Sequence, residues 1–68
     1  MAVAKVIEIL AESEKSWEDA TQKALDEASK TIENIESIYV KEMQAVVENN
    51  QIVSYRVNAK ISFVVGQK

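Results

Sequence analysis

The chain is 68 residues long and contains no cysteine, histidine or proline, which excludes a disulfide framework, a Cys/His zinc site, a haem thioether linkage and any catalytic triad with imidazole as its base. Apolar residues make up 47% and charged residues 28%, the composition of a globular domain rather than a disordered tail, and the length predicts one domain spanning residues 1–68. Eleven acidic residues against eight scattered basic ones give a net charge of −3, which argues against a phosphate backbone as the main ligand.

A core drawn from so short a chain rarely supplies more than about 3–5 kcal/mol. Without disulfide or metal staples, self-association is the first functional expectation. No apolar stretch approaches the ~20 residues needed to span a bilayer. Lys5 and Glu8 interrupt any signal-peptide core in the opening residues, so a soluble, cytoplasmic protein is expected.

In chain order, Ala2 to Leu10 comes first. Val3, Val6, Ile7, Ile9 and Leu10 favour a strand, and their presence on both faces predicts that both faces become covered. Polar residues from Ala11 to Lys15 form the expected connection. Ser16 then caps a helix predicted from Trp17 to Glu33, with Asp19 three residues on completing a capping box. Trp17, Ala20, Ala24, Ala28, Ile32 and Ile35 recur at helical spacing and form its buried stripe, with Leu25 beside it. Asp19–Lys23 and Asp26–Lys30 are acid-before-base pairs at i,i+4. The alanines let a sheet approach the helix closely.

Beyond Ser37 the period changes to two. Tyr55, Val57, Ala59, Ile61, Phe63 and Val65 share one face of a long strand, and Ser54, Arg56, Asn58, Lys60 and Ser62 share the other. Ile38 to Glu48 reads as its hairpin partner, with Asn49-Asn50 at the turn because asparagine tolerates positive φ. A strict two-residue turn would place Glu42 and Gln44 on the apolar face. A β-bulge near residues 42 to 45, or a longer turn, would instead bring Met43 or Ala45 inward. The predicted class is α+β, a β-α-β-β unit with a three-stranded sheet on one helix. The hairpin is longer than the helix it covers, and its projecting edges invite pairing with another chain.

The chain resembles the dodecin family over nearly its whole length. The likeness is carried by Lys5-Val6-Ile7-Glu8-Ile9, by Ser13-x-x-Ser16-Trp17, and by Ala28-Ser29-Lys30-Thr31-Ile32. It continues through Val46-Val47-Glu48-Asn49, Tyr55-Arg56-Val57-Asn58 and Ile61-Ser62-Phe63. The resemblance implies a β-α-β-β fold with a three-stranded antiparallel sheet wrapped around one helix. It also implies twelve such subunits in a hollow, near-spherical shell, a homododecamer, and a role in binding and storing a small molecule, flavin (riboflavin or FMN) or a related flat aromatic ligand. In flavin-binding members a tryptophan just after the helix stacks on the isoalloxazine ring, and a glutamine in the last strand reads its polar edge, with two flavins in each pocket at a two-fold axis.

Matched residue by residue, the tryptophan position is Ser37 and the glutamine position is Arg56, the two cofactor-binding residues the resemblance assigns here. A serine has no π-face, and an arginine offers donors only. Arginines that some members place near the flavin phosphate correspond to Gln44 and Val64. The resemblance also implies an alternative, a flavin-free shell that binds calcium or is purely structural, for which Glu33, Glu36, Glu42 and Glu48 are candidate oxygen ligands. Trp17, the only tryptophan, is expected to pack in the core or between subunits rather than to stack on a ligand. Tyr39 borders the Ser37 region, and Tyr55 is expected to pack inside. No nucleophile and base assemble, and no glycine-rich phosphate loop is present, so no enzymatic activity is expected.

Overall fold

Alternating apolar and polar residues become strands, and the alanine-striped segment becomes a helix. The computed structural model describes residues 3–66, in the order β1 (Val3–Ser13), α1 (Trp17–Ser29), β2 (Ile35–Glu48) and β3 (Gln51–Val65). The strands form one antiparallel sheet in the order β1-β3-β2, the β-α-β-β architecture expected.

Ser16 opens α1 as predicted. Its backbone is extended, and its Oγ accepts from the Asp19 N–H at 2.9 Å, satisfying one orphan donor of the first turn. The second half of the expected capping box is replaced. The Asp19 carboxylate accepts from Ser13 Oγ at 2.6 Å, and Ser13 Oγ accepts from the Lys15 N–H at 2.9 Å. Ser13 thus links the end of β1 to the first turn of α1. Its hydrogen bond is the main reason the Asp19 carboxyl titrates below the usual range, with Lys23 and Lys15 adding to the effect against partial desolvation.

β1 runs three residues past the predicted end at Leu10, because Ala11, Glu12 and Ser13 keep pairing with Val57, Arg56 and Tyr55 on the longer β3. Ala2, its predicted start, lies outside the described residues. The helix is shorter than its expected end at Glu33. Ser29 Oγ donates to the Asp26 carbonyl at 2.8 Å, and the Thr31 and Ile32 N–H groups both bond to the Ala28 carbonyl at 3.2 and 3.0 Å. Asn34, at φ 63, then turns the chain into the sheet, where its carbonyl accepts from the Val64 N–H at 3.2 Å. Ile32 and Ile35 therefore lie beyond the helix, and Ile35 opens β2. The Asp19–Lys23 pair forms at 3.7 Å. Asp26–Lys30 does not: Gln22 donates to Asp26 at 2.9 Å, and Lys30 pairs with Glu27 at 3.1 Å.

Asn49 and Asn50 both have positive φ, 53 and 63, and form the two-residue turn between paired Glu48 and Gln51. Three register shifts keep the apolar residues on the helix side. A bulge at Val53 sets Ala45 opposite Tyr55 and Met43 opposite Val57, so both turn inward. A bulge at Lys41, one residue before the predicted window, keeps Val40 opposite Ala59 and Ile38 opposite Ile61. A third at Glu36 does the same for Ile35 opposite Phe63.

The core lies where Ala20, Ala24 and Ala28 meet Val57, Ala59 and Ile61, all buried. At 1.5 Å per residue α1 is roughly 20 Å long, whereas the molecule extends 52 Å along its longest axis. The helix rests chiefly on β1 and β3 and lightly on β2. Met43, Val47 and Ile52 consequently stay exposed on the helix side of the hairpin, as do Val6, Leu10 and Tyr39 on the opposite face. Both faces of the sheet carry apolar surface that this one chain leaves bare.

Candidate functional site

Two separate regions collect the residues singled out from the sequence. The first is the junction of α1 and β2. Ser37 follows the bulge at Glu36 and turns to the sheet face away from the helix, where its Oγ lies 2.6 Å from Ser62 Oγ. It also borders a pocket of about 520 Å³ with a floor of Leu25, Ile32, Ile35 and Ile38 and a rim that includes Asp26, Ser29 and Glu36. That volume lies in the range of small-molecule sites. Tyr39, two residues on, presents an exposed ring opposite Lys60.

The second region lies on the outer face of β3. Arg56 Nε donates to Glu12 Oε1 at 3.0 Å, and Ser54 Oγ donates to Glu12 Oε2 at 2.6 Å. Both bonds favour the carboxylate, Ser54's more than Arg56's, and hold Glu12 below the ordinary range for a glutamate despite some desolvation. Arg56 also lines a pocket of about 280 Å³ with Leu10, Glu42, Gln44 and Asn58. Asn58 Oδ1 is buried, with no hydrogen-bond partner among the described residues.

Because the folded-state pKa of Glu12 is depressed, its clamp on Arg56 is fully present above the ordinary glutamate range and is lost as pH falls through the lower folded value. The Arg56 Nε–H resonance is expected to hold its position through the usual glutamate titration and to move only below it. Movement at the ordinary glutamate pKa would contradict the clamp.

Ser37 pairs with Ser62 and Arg56 with Gln44. These are six β3 positions apart, roughly 20 Å at the rise of a strand. The two predicted cofactor-binding residues share a face but do not meet within one chain. Gln44 joins the Arg56 region, and Val64, bonded to Asn34, lies at the Ser37 end. Among the described residues no three carboxylates converge on a point. Glu33, Glu36, Glu42 and Glu48 are strung out from the helix exit to the hairpin turn, whereas calcium takes about 6–8 oxygens.

Trp17 packs as expected. Its ring meets Tyr55 edge-on with centroids 4.9 Å apart, and its Nε1–H donates to the Gln44 carbonyl at 2.8 Å. Glu12 and Asn58 were not legible as site residues from sequence. Glu12 faces Arg56 only because β1 runs on to Ser13, and Asn58 differs from its polar neighbours in having a buried side-chain oxygen without a partner among the described residues. No helix is long and apolar enough to cross a membrane.

The family model described as Dodecin matches residues 3–66. Calcium dodecin of Mycobacterium tuberculosis is 33% identical over 63 residues, covering 93% of this chain and 89% of that protein. A Thermus thermophilus protein of known structure is 28% identical with a TM-score of 0.91, covering 100% of both chains. A tryptophan-to-phenylalanine variant of T. thermophilus dodecin has the same identity and TM-score, over 98% of this chain and 100% of that one. The crystal structure of the calcium-chelating calcium dodecin from M. tuberculosis matches with 31% identity and a TM-score of 0.80, covering 97% of each. The shared strand order, the match across all the described residues and these relatives lead to one conclusion: the chain belongs to the dodecin family.

Proposed function

We propose that the chain is one subunit of a homododecameric, cytoplasmic shell that binds and stores a small molecule between its copies, without catalysing a reaction. The ligand class is a flat aromatic ring of the flavin type. The observation that carries this reading is the separation of Ser37 from Arg56 on one uncovered sheet face. A ligand smaller than that ~20 Å gap touches both only when different copies contribute them. Val6, Leu10 and Tyr39, exposed on that same face, support it by offering apolar surface against which a ring can be buried. Ser37 cannot supply the stacking surface of a tryptophan, so burial between copies and polar contacts must hold the ring. Titration with riboflavin tests the reading directly. Quenching of flavin fluorescence at micromolar protein is expected, and its absence defeats a flavin role.

A second reading, a shell that binds calcium in place of flavin, is favoured by the 33% identity to calcium dodecin. Glu42 and Gln44, which carry side-chain oxygens, line the pocket at Arg56, and Glu12 neutralises the nearby guanidinium at 3.0 Å. Calorimetric binding of calcium, with dissociation of the shell on adding a chelator, is the result that selects this reading over the first.

A further inference from the structure

On its helix side the sheet has two apolar surfaces that α1 leaves uncovered, and they differ in shape. The first is concave. Because α1 rests only lightly on β2, a groove opens between them, made of adjoining pockets of about 520 and 370 Å³ that share Leu25 and Ile38. Ile32 and Ile35 continue its floor at one end, Met43 stands at the other, and Asp26 and Glu36 lie along the rim. The second surface is the projecting end of the hairpin, where Val47 and Ile52 form a cross-strand pair, 57% and 55% exposed. From Ala45 to Tyr55 the only charge is Glu48, although charges are a usual means of keeping projecting strands apart from other chains. The tip cannot turn back into its own groove. Val47 lies nine residues beyond Ile38 on the same strand, roughly 25–30 Å away at the rise of a strand.

We propose that the hairpin tip of one copy docks in the α1–β2 groove of the next, with Val47 and Ile52 set against Leu25, Ile32 and Ile38. Tip and groove are different surfaces, so the contact is head-to-tail, and a head-to-tail contact that closes makes a ring. The inference rests on the homododecameric shell proposed above and supplies an interface that this shell needs. Copies meeting only through one self-complementary contact on the outer sheet face would stop at pairs. Rings of three, joined in pairs through that face, close into a near-spherical shell of twelve. The charge pattern fits a second copy as the occupant. An acidic rim repels a carboxylate, and the tip offers the groove an apolar, uncharged pair.

Because the chain has no cysteine of its own, introduced thiols report this contact alone. The double variant Leu25→Cys/Val47→Cys, treated with a short bis-maleimide, is expected to run on a denaturing gel as covalent species of two and three chains and no more. Val47→Cys alone and Leu25→Cys alone are each expected to stay at one chain. Ile32→Cys/Ile52→Cys is a second pair across the same contact and is expected to give the same ladder should the first pair disturb assembly. Covalent pairs from Val47→Cys alone overturn the proposal, because tip would then meet tip. So does a double variant of the parent's native mass that gives no link between chains, or a ladder that runs past three. A parent protein with the native mass of one chain or two defeats the dodecameric reading itself. A dodecamer without links from tip to groove defeats this inference and leaves that reading standing.

Discussion

Met43→Glu is expected to leave the chain folded and to abolish its assembly. Met43 sits on the helix side of β2 opposite Val57, yet it is 58% exposed because α1 stops short of that strand. Together with Val47 and Ile52 it forms apolar surface that a solitary chain leaves in water. Burying a methionine side chain against another copy is worth about 1.5–3 kcal/mol. A glutamate in its place forfeits that gain and adds the larger cost of desolvating an unpaired carboxylate. In the symmetric shell proposed above the penalty recurs in every subunit. Native mass should fall to that of small species while the far-ultraviolet circular dichroism stays close to the parent's. A variant that assembles as the parent does would show that this face is not an interface.

Ile61→Ala carries the largest expected effect on folding. Ile61 is completely buried at the centre of the sheet, paired with Ile7 on one side and Ile38 on the other. Its truncation should cost about 2–5 kcal/mol, comparable with the roughly 3–5 kcal/mol that so small a core supplies on its own. A solitary chain should therefore be unfolded, and the proposed assembly should melt at a much lower temperature. Ile61→Val, at roughly 0.5–1.5 kcal/mol, serves as the graded control. Equal melting of the two variants would contradict the packing described.

The parts of the fold legible in the sequence are those set by local chemistry. Ser16 as a helix cap, the alanine stripe, the two-residue period of β3 and the Asn49-Asn50 turn each rest on a few neighbouring residues, and each is present. What was missed depends on contacts between distant segments. The end of β1 at Ser13 is decided by how far β3 extends beside it. The helix stops at Ser29 because residues 30–34 must turn so that Asn34 can bond Val64. The bulges at Glu36, Lys41 and Val53 are settled by keeping two apolar faces together along a long hairpin, a sum over pairs that no short window contains.

The candidate site divides in the same way. Ser37 and Arg56 came from matching positions to a family pattern, and both lie on the face that one chain leaves uncovered. Their distance from each other, and the involvement of Glu12 and Asn58, became visible only with the strand register. Arg56 meets Glu12 across a pairing 44 residues apart in sequence.

Central to this account is that the working unit is the assembly, with ligand chemistry located between copies. The native mass of the purified protein tests it most directly. A dodecamer, twelve times the 7.6 kDa chain, is the predicted result. A mass corresponding to one chain or two would contradict it.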